Sequence, residues 1–343
     1  MLVNYEFKAV PFYVDATLMS DSKNWSFPAN LQPDAEDLNG DLDKVLNAVI
    51  ALRAEIPEDA FTASFLGTER SGSGVVIRED GLILTIGYLI TEAQSIWLTA
   101  NDGTVMQGHT LAYDQTSGFG LVQPLGRLKL PTLKFASAST IEAEDDVFAI
   151  AHGGRHHALK AKVVAKREFA GNWEYVLDEA IFTAPAHPHW SGAALVDEFG
   201  RLLGIGSLLV QEAREEGKSL QGNMFVPVDL LKPILDDLIR FGKTAGPPRP
   251  WLGLYVAEAD GHLVISGVTD GGPAALAGVR PGDVIIGVAG GRPEGIADVF
   301  RRYWSLGAAG IEVPLTLLRK GARNDIVVRS AERNSLLKKP SLH

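Results

Sequence analysis

Between about residues 61 and 228, short apolar runs alternate with Gly, Asp and Asn, and this alternation restricts the fold more than any other pattern in the chain. Glu79-Asp80-Gly81, for example, is a hairpin signal between two such runs. Short strands at regular spacing, with few helices between them, are typical of an all-β barrel or sandwich. This region is therefore predicted to be mainly β.

Helices are predicted on both sides of the β region. Residues 41–56 place apolar side chains at helical spacing before Pro57, which predicts one amphipathic helix. Residues 229–241 predict a second helix that closes the domain. The stretch 242–250, GKTAGPPRP, is predicted to be a linker because its Gly and Pro residues interrupt both periodicities.

The remaining segments predict a second domain and two ends. Residues 251–331 alternate strand and helix patterns and form a small domain of their own, followed by a tail at 332–343. Residues 1–40 show no sustained period, and two interpretations stay open: a poorly ordered arm, or a segment that packs on a neighbour. The second interpretation depends on the aromatic residues of this arm: Tyr5, Phe7, Phe12, Tyr13, Trp25 and Phe27.

Composition excludes several classes of protein. A chain of 343 residues is too long for one ordinary core, and 46% hydrophobic with 22% charged residues excludes wholesale disorder. The net charge of −10, without a basic cluster, argues against nucleic acid and anionic lipid as partners. No apolar run approaches the roughly 20 residues that span a bilayer. The absence of Cys removes disulfides, thiolate nucleophiles and zinc-thiolate sites.

The N-terminal sequence bears on the compartment. Residues 1–25 lack a basic start followed by a long apolar stretch, so they do not read as a signal peptide. A cytoplasmic location is expected if Met1 is the natural start, and a periplasmic one if a leader has been removed.

Several phrases in the β region resemble the HtrA/DegP group of trypsin-like serine proteases. Residues 71–77 (SGSGVVI) with 81–85 (GLILT) resemble the family's opening hairpin. Tyr113-Asp114 with residues 119–122 (FGLV) resembles its Asp-bearing turn, and residues 190–195 (WSGAAL) resemble its nucleophile turn. The resemblance covers roughly residues 60–331 and implies a trypsin-like double six-stranded β-barrel domain over 41–241, followed by a PDZ domain.

The second domain carries a nearly complete PDZ signature at residues 272–285, GPAALAGVRPGDVI. Trp251-Leu252-Gly253-Leu254 resembles the loop that receives a peptide's terminal carboxylate. Gly253 would let the backbone turn its N–H groups to the anion, while Leu252 and Leu254 would form the apolar pocket. Val299, Phe300 and Tyr303 either line this groove or pack in the core. Phe300 is assigned to the core and Tyr303 is left open.

The resemblance also locates three departures from a working protease. Ser191 occupies the nucleophile position, but Tyr88 stands at the position of the family's His and Gly118 at that of its Asp. A phenol with a pKa near 10 is not a poised base at neutral pH, and glycine offers no carboxylate. His189 replaces the Gly whose N–H serves the oxyanion hole.

Histidines near strand ends offer two alternative functional roles, a substitute base or a metal site. A solvated or capping role is favoured over both. His187 or His189 would act as a substitute base for Ser191, or His156, His157, His187 and His189 would form a metal site. Neither is favoured, because a residue two positions from a nucleophile usually points away from it and no carboxylate stands at ligand spacing. No metal and no cofactor is therefore predicted.

The resulting hypothesis is a pseudoprotease that binds peptides or protein C-termini through its PDZ domain, as an adaptor, chaperone-like factor or regulator in protein quality control. The resemblance further implies an oligomer, a trimer formed through the aromatic arm or a co-assembly with an active relative. The alternative is an active endopeptidase that uses Ser191 with a non-standard base. A third interpretation is purely structural, with the PDZ groove occluded.

Overall fold

The computed structural model describes residues 25–211, 213 and 220–338. These residues form two compact units, one of residues 169–177 with 245–337, and one of the remaining described residues. Most of the polar loop at 212–218 and the aromatic residues Tyr5, Phe7, Phe12 and Tyr13 of the arm lie outside the described residues.

The larger unit contains a first closed barrel of six antiparallel strands in the order β1-β2-β3-β6-β5-β4. Its strands are β1 Val49–Glu55, β2 Glu69–Val76, β3 Ile83–Ile86, β4 Ser95–Thr99, β5 Val105–Tyr113 and β6 Phe119–Pro124. A four-residue helix, α2 Ala63–Leu66, connects β1 to β2. The barrel is filled by aliphatic side chains such as Ile50, Ile83 and Leu121, which are fully buried.

The helix predicted over residues 41–56 is wrong for most of its length. A helix, α1, covers only Leu42–Asn47, and the chain then enters β1. β1 pairs with β2 on one side and β4 on the other, with Val49 opposite Val75 and Ala51 opposite Thr99. The apolar residues of this segment fit both periodicities, and the backbone bonds from two neighbouring strands favour the extended form.

The second barrel repeats this architecture in the order β10-β11-β12-β9-β8-β7. Its strands are β7 Asp146–Ile150, β8 Ala158–Gly171, β9 Tyr175–Ala184, β10 Ala194–Val196, β11 Leu202–Val210 and β12 Gly222–Pro227. The predicted mainly β fold with two six-stranded barrels is thereby confirmed.

The closing helix is shorter than predicted over 229–241. A 3-10 turn at Val228–Leu230 precedes helix α3, which covers Leu235–Phe241. Pro233 lies between the two segments. Because proline lacks an N–H and disfavours a helical conformation at the residue before it, regular helix begins only after this position.

The described part of the N-terminal arm packs on the second barrel. Phe27 is buried among the apolar side chains of this barrel, and Trp25 and Leu31 pack against the same cluster. The Phe27 N–H donates to the His156 carbonyl at 3.0 Å. For residues 25–31, the neighbour of the arm is therefore the chain's own barrel.

The smaller unit holds a five-stranded sheet in the order β13-β14-β15-β16-β17, so that β13 is an edge strand. The strands are β13 Leu254–Ala259, β14 His262–Val268, β15 Val284–Val288, β16 Glu312–Arg319 and β17 Ala322–Arg329, with helices α4 Pro273–Leu276 and α5 Ile296–Trp304. The tip of the β8–β9 hairpin, residues 169–177, belongs to this unit.

Helix α5 provides much of the core of the smaller unit. Val299, Phe300 and Tyr303 are fully buried in its apolar cluster, with Phe300 in the core as predicted. Arg302 lies on the outer part of the helix and pairs with Asp298 at 2.8 Å. None of the helices in the described ranges is long and apolar enough to cross a bilayer.

Candidate functional site

Ser191 lies in the turn before β10, with only 4% of its surface exposed. The Ser191 carbonyl accepts a hydrogen bond from the Ser73 N–H at 2.8 Å, which joins this turn to β2. A Cβ at Gly72 would lie 2.5 Å from the same carbonyl. Gly72 therefore allows β2 to pass directly beside the turn that carries Ser191.

Tyr88 reaches Ser191 from the 3-10 turn Gly87–Leu89 that follows β3. Its hydroxyl oxygen lies 2.9 Å from Ser191 Oγ and 2.9 Å from the Ser207 carbonyl oxygen on β11. The phenol has one proton and a carbonyl can only accept, so all three groups are satisfied when Tyr88 donates to Ser207 and accepts from Ser191. Burial raises the pKa of Tyr88 above its ordinary value.

Arg70 on β2 holds the turn that carries Tyr88. Its guanidinium donates to the carbonyls of Tyr88 at 2.8 Å and Thr91 at 3.0 Å, and to Thr62 Oγ1 at 2.8 Å. Burial lowers the pKa of Arg70 to about 10, so the group remains charged at neutral pH. A buried cation with several backbone acceptors fixes the local backbone rather than taking part in chemistry.

Gly118 lies next to Tyr88 in space, in the loop that leads into β6. Its carbonyl accepts from the Gly87 N–H at 2.7 Å, and its backbone is left-handed with φ 81°. The nearby Asp114 carboxylate accepts from the Ser117 N–H and hydroxyl, both at 2.7 Å, and so caps its own loop. At position 118, where the sequence predicts the counterpart of the family's acid, the chain presents backbone alone.

The N–H of His189 is already hydrogen-bonded within the chain. It donates to His187 Nδ1 at 3.0 Å, and His187 Nε2 lies 2.9 Å from the His157 carbonyl oxygen. These partners assign the tautomer of the His187 ring: Nε2 carries the proton, and the lone pair of Nδ1 accepts the hydrogen bond from His189. Burial lowers the pKa of His187 to about 4, which keeps the ring neutral and able to accept.

The two proposed substitute bases face other groups than Ser191. Both ring nitrogens of His187 are bonded as described, and its side chain is fully buried. The His189 ring packs against Trp25 with 5.1 Å between ring centroids, and burial lowers its pKa. Within the described ranges, no three His, Asp or Glu side chains are arranged to hold a metal ion.

In the smaller unit, the loop 252–254 gathers three backbone N–H groups around one carboxylate. Gly253 has a left-handed φ of 78°, and Leu252 and Leu254 are buried. The N–H groups of Leu252, Gly253 and Leu254 all donate to the side chain of Glu174, with shortest distances of 3.0, 2.6 and 2.8 Å. The loop has the shape of an anion-binding site.

Tyr303 completes the site around Glu174. Its hydroxyl donates to Glu174 Oε2 at 2.5 Å. Burial raises the pKa of Glu174, and the bonds from Tyr303 and the loop oppose this rise by favouring the ionised form. Burial and the negative charge of Glu174 raise the pKa of Tyr303 well above its ordinary value, so the phenol keeps its proton and donates.

Sequence reasoning did not identify Glu174, Arg70 or the interaction of His187 with His189. Glu174 stands in an ordinary hairpin turn, Asn172-Trp173-Glu174, and is 78 residues from the loop it contacts. The one local signal for Arg70 is an Arg directly before the small and apolar residues 71–76 of the same strand.

Two domain families match the chain. The trypsin-like peptidase domain matches residues 72–205, which include Tyr88, Gly118 and Ser191. The PDZ domain matches residues 264–316. Apart from the hairpin tip 169–177, the first match falls on the unit with the two barrels, and the second match falls on the unit with the five-stranded sheet.

Curated relatives are similar to the chain over most of its length. The chain is 27% identical over 275 residues to a probable periplasmic serine endoprotease, DegP-like, of Pseudomonas putida strain W619, covering 75% of this chain and 55% of the relative. It is 28% identical over 298 residues to the chloroplastic Protease Do-like 1 of Arabidopsis thaliana, covering 80% of this chain and 66% of that protein. The chain thus spans a little over half of the Pseudomonas relative.

Solved structures show the same fold. The HtrA-type protease AlgW with a decapeptide superposes with a TM-score of 0.51 at 21% identity, covering 88% of this chain and 98% of that chain. The serine endoprotease from Yersinia pestis has a TM-score of 0.50 at 21% identity, covering 84% and 95% of the two chains. The chain thus contains a trypsin-like peptidase domain followed by a PDZ domain, and it is similar in sequence and fold to HtrA/DegP-like proteases.

Proposed function

We propose that this HtrA-like protein is catalytically inactive and works as a peptide-binding adaptor or regulatory factor. The observation that carries the proposal is the Tyr88 hydroxyl, which lies 2.9 Å from Ser191 Oγ at the position of the family's base. Serine attack on a peptide needs a group that takes the hydroxyl proton and returns it to the leaving amine.

Tyr88 does not meet this requirement at neutral pH. A neutral phenol accepts a hydrogen bond but has almost no affinity for a second proton, so only its phenolate could act as a base. A phenol with an ordinary pKa near 10 is about 0.1% ionised at pH 7. Burial raises the pKa of Tyr88 further, which makes the phenolate scarcer still.

Two further groups that stabilise the transition state of peptide hydrolysis are also missing or occupied in this proposal. Gly118 supplies no carboxylate to orient or stabilise a base, even if a base were present. The His189 N–H, the counterpart of the family's oxyanion-hole donor, is bound to His187 Nδ1 at 3.0 Å. Loss of one oxyanion donor alone lowers turnover by about 10² to 10³.

Two measurements on the full chain test inactivity. A fluorophosphonate probe should leave Ser191 unmodified, and casein incubated with the protein should be cleaved no faster than with Ser191→Ala, with trypsin as the positive control. Stoichiometric labelling of Ser191, or cleavage that disappears in Ser191→Ala, would overturn the proposal.

The competing function is a serine endopeptidase with a non-standard base. Two observations favour it: Ser191 is retained in its buried turn, and the curated relatives carry the names of proteases. The same casein assay distinguishes the two functions, because only the endopeptidase predicts activity that depends on Ser191.

The binding role is proposed from the PDZ domain and its loop at 252–254. Peptides or protein C-termini are the proposed ligands, and an oligomer or a co-assembly with an active relative is the proposed assembly. The name of the Pseudomonas relative, a periplasmic protein, supports the periplasmic alternative over the cytoplasmic one. Fractionation of cells that express the native gene would separate these two locations.

A further inference from the structure

The carboxylate-binding loop of the PDZ domain already holds a carboxylate, and that carboxylate comes from the chain itself. Leu252, Gly253 and Leu254 direct their N–H groups to Glu174. We propose that Glu174 is an internal ligand of this loop and that the β8–β9 hairpin tip competes with C-terminal peptides for the groove. This inference concerns the peptide-binding part of the proposed function and rests on it, but it is independent of catalytic inactivity.

The backbone of the hairpin tip also occupies the sheet edge that a peptide needs. A PDZ ligand adds to the domain as an extra strand and bonds the backbone of an exposed edge. The Val256 N–H on edge strand β13 donates to the Asn172 carbonyl at 2.9 Å. The hairpin tip therefore combines two features of a bound C-terminus: a carboxylate in the loop and a backbone acceptor on β13.

Side chains of the tip contribute to the apolar cluster around the loop. Val176 is buried in the same cluster as Leu252 and Leu254, and Ala170 packs against that cluster. The sequence predicts that Leu252 and Leu254 form the pocket for an apolar peptide side chain. An incoming peptide would have to displace these contacts together with the carboxylate.

The backbone conformation and the burial of Glu174 both indicate that the contacts of its side chain stabilise this turn. Its backbone is left-handed, with φ 61°, which is unfavourable for a residue with a Cβ and easy for glycine. Its carboxylate is removed from water, which a charge tolerates only when donors replace the lost hydration. Three backbone N–H groups and the Tyr303 hydroxyl supply those donors.

The test compares the full wild-type chain with Glu174→Gly, which suits the left-handed backbone and removes the carboxylate. Asp260→Gly is the matched control, because Asp260 is an exposed turn residue with φ 50° in the same unit. Two readouts are needed: hydrogen exchange of the Leu252–Leu254 amides, and fluorescence anisotropy of short peptides ending in Leu, Val or Ile, with a free or an amidated C-terminus.

We expect the loop amides to exchange at least tenfold faster in Glu174→Gly than in the wild type or Asp260→Gly. We also expect free-carboxylate peptides, and not their amidated forms, to bind Glu174→Gly at least tenfold more tightly than the wild type. Equal exchange and equal peptide affinity in all three proteins would overturn the inference.

The two readouts separate this inference from the proposed function. Faster exchange without peptide binding in any variant would support Glu174 as the ligand of the loop and overturn peptide binding as the function. Unchanged exchange, together with tight peptide binding to the wild type, would overturn the internal ligand and support the binding function.

Discussion

At the residue scale, the surroundings of Ser191 are defined by hydrogen bonds to groups of the same chain. The Ser191 hydroxyl is hydrogen-bonded to the Tyr88 phenol, and the nearby His189 N–H donates to the His187 ring. Each of these groups is satisfied by a partner from the same chain. The hydrogen-bonding groups around Ser191 are therefore paired with one another within the chain.

Replacement of Tyr88 by Phe should destabilise the protein without any gain of proteolysis. The change removes the donor to the Ser207 carbonyl and the partner of Ser191 Oγ, and we expect a loss of about 1–2 kcal/mol in the free energy of unfolding. Urea unfolding measures this loss. Ser191→Ala is the control and should cost less, because Tyr88 keeps its bond to Ser207; equal or larger losses in Ser191→Ala would contradict the bonding scheme.

His187 should make stability depend on pH in the mildly acidic range. Its pKa is lowered to about 4 in the folded state, against an ordinary value of about 6.5, so between these values the unfolded chain binds a proton that the folded chain does not. The stabilisation is complete above about pH 6.5 and is lost progressively as the pH falls towards about 4, by roughly 3 kcal/mol in total.

A comparison with His187→Gln isolates this contribution from those of the carboxylates. Between about pH 7 and about pH 5, the free energy of unfolding of the wild type should fall by roughly 2 kcal/mol more than that of the variant. Parallel curves for the two proteins would show that His187 is not held in its neutral form.

Tyr88, Gly118 and His189 can be singled out from the sequence because each lies a short distance from a phrase that resembles one in HtrA proteins. At position 189 the sequence shows only that His stands where the resemblance implies Gly. The structure adds that the N–H of this residue is bonded to His187. That bond depends on the backbone path through Pro188, which no spacing rule predicts.

At the element scale, β2 connects the first barrel to the site through two different residues. Gly72 allows close passage beside Ser191, and Arg70 holds the turn of Tyr88. The segment 41–56 shows the opposite case, in which local periodicity predicted a helix and pairing with β2 and β4 produced a strand. Backbone bonds to two neighbours outweigh the small differences in intrinsic propensity.

Arg70→Leu should therefore destabilise the first barrel strongly. It leaves the buried carbonyls of Tyr88 and Thr91 without their donor, and we expect a loss of about 2–4 kcal/mol in the free energy of unfolding. Arg53→Leu, on the neighbouring strand β1, is the control, because that side chain is 55% exposed and should cost less than about 1 kcal/mol. Urea unfolding of both variants measures the difference, and similar losses would contradict a special role for Arg70.

At the scale of the whole molecule, two compact units carry two different recognition chemistries. The barrel unit has the trypsin-like peptidase fold, with Tyr88 hydrogen-bonded to Ser191. In the PDZ unit, the N–H groups of Leu252–Leu254 bind Glu174 from residues 169–177. The functions proposed above are therefore ones of binding and regulation.

The resemblance to HtrA proteins predicts an assembly larger than the single chain. Native mass spectrometry of the full chain should show a species of about three times 36.8 kDa, and removal of residues 1–24 should reduce its share. Trp25 and Phe27 stay in that variant because they pack on the second barrel. A dominant species of 36.8 kDa in the full chain would contradict the trimer.

The sequence by itself determined the mainly β architecture and the division into two domains, because periodicity and Gly/Pro-rich linkers are properties of neighbouring residues. The positions predicted for base, acid and oxyanion donor came from phrases that resemble those of HtrA proteins. Tertiary structure alone decided the hydrogen-bond partner of each polar group: Tyr88 pairs with Ser207, His189 with His187, and Glu174 with Leu252–Leu254. Such partners lie far apart in the chain or depend on the path of a turn, and a buried polar group binds whichever partner the fold brings within hydrogen-bond distance.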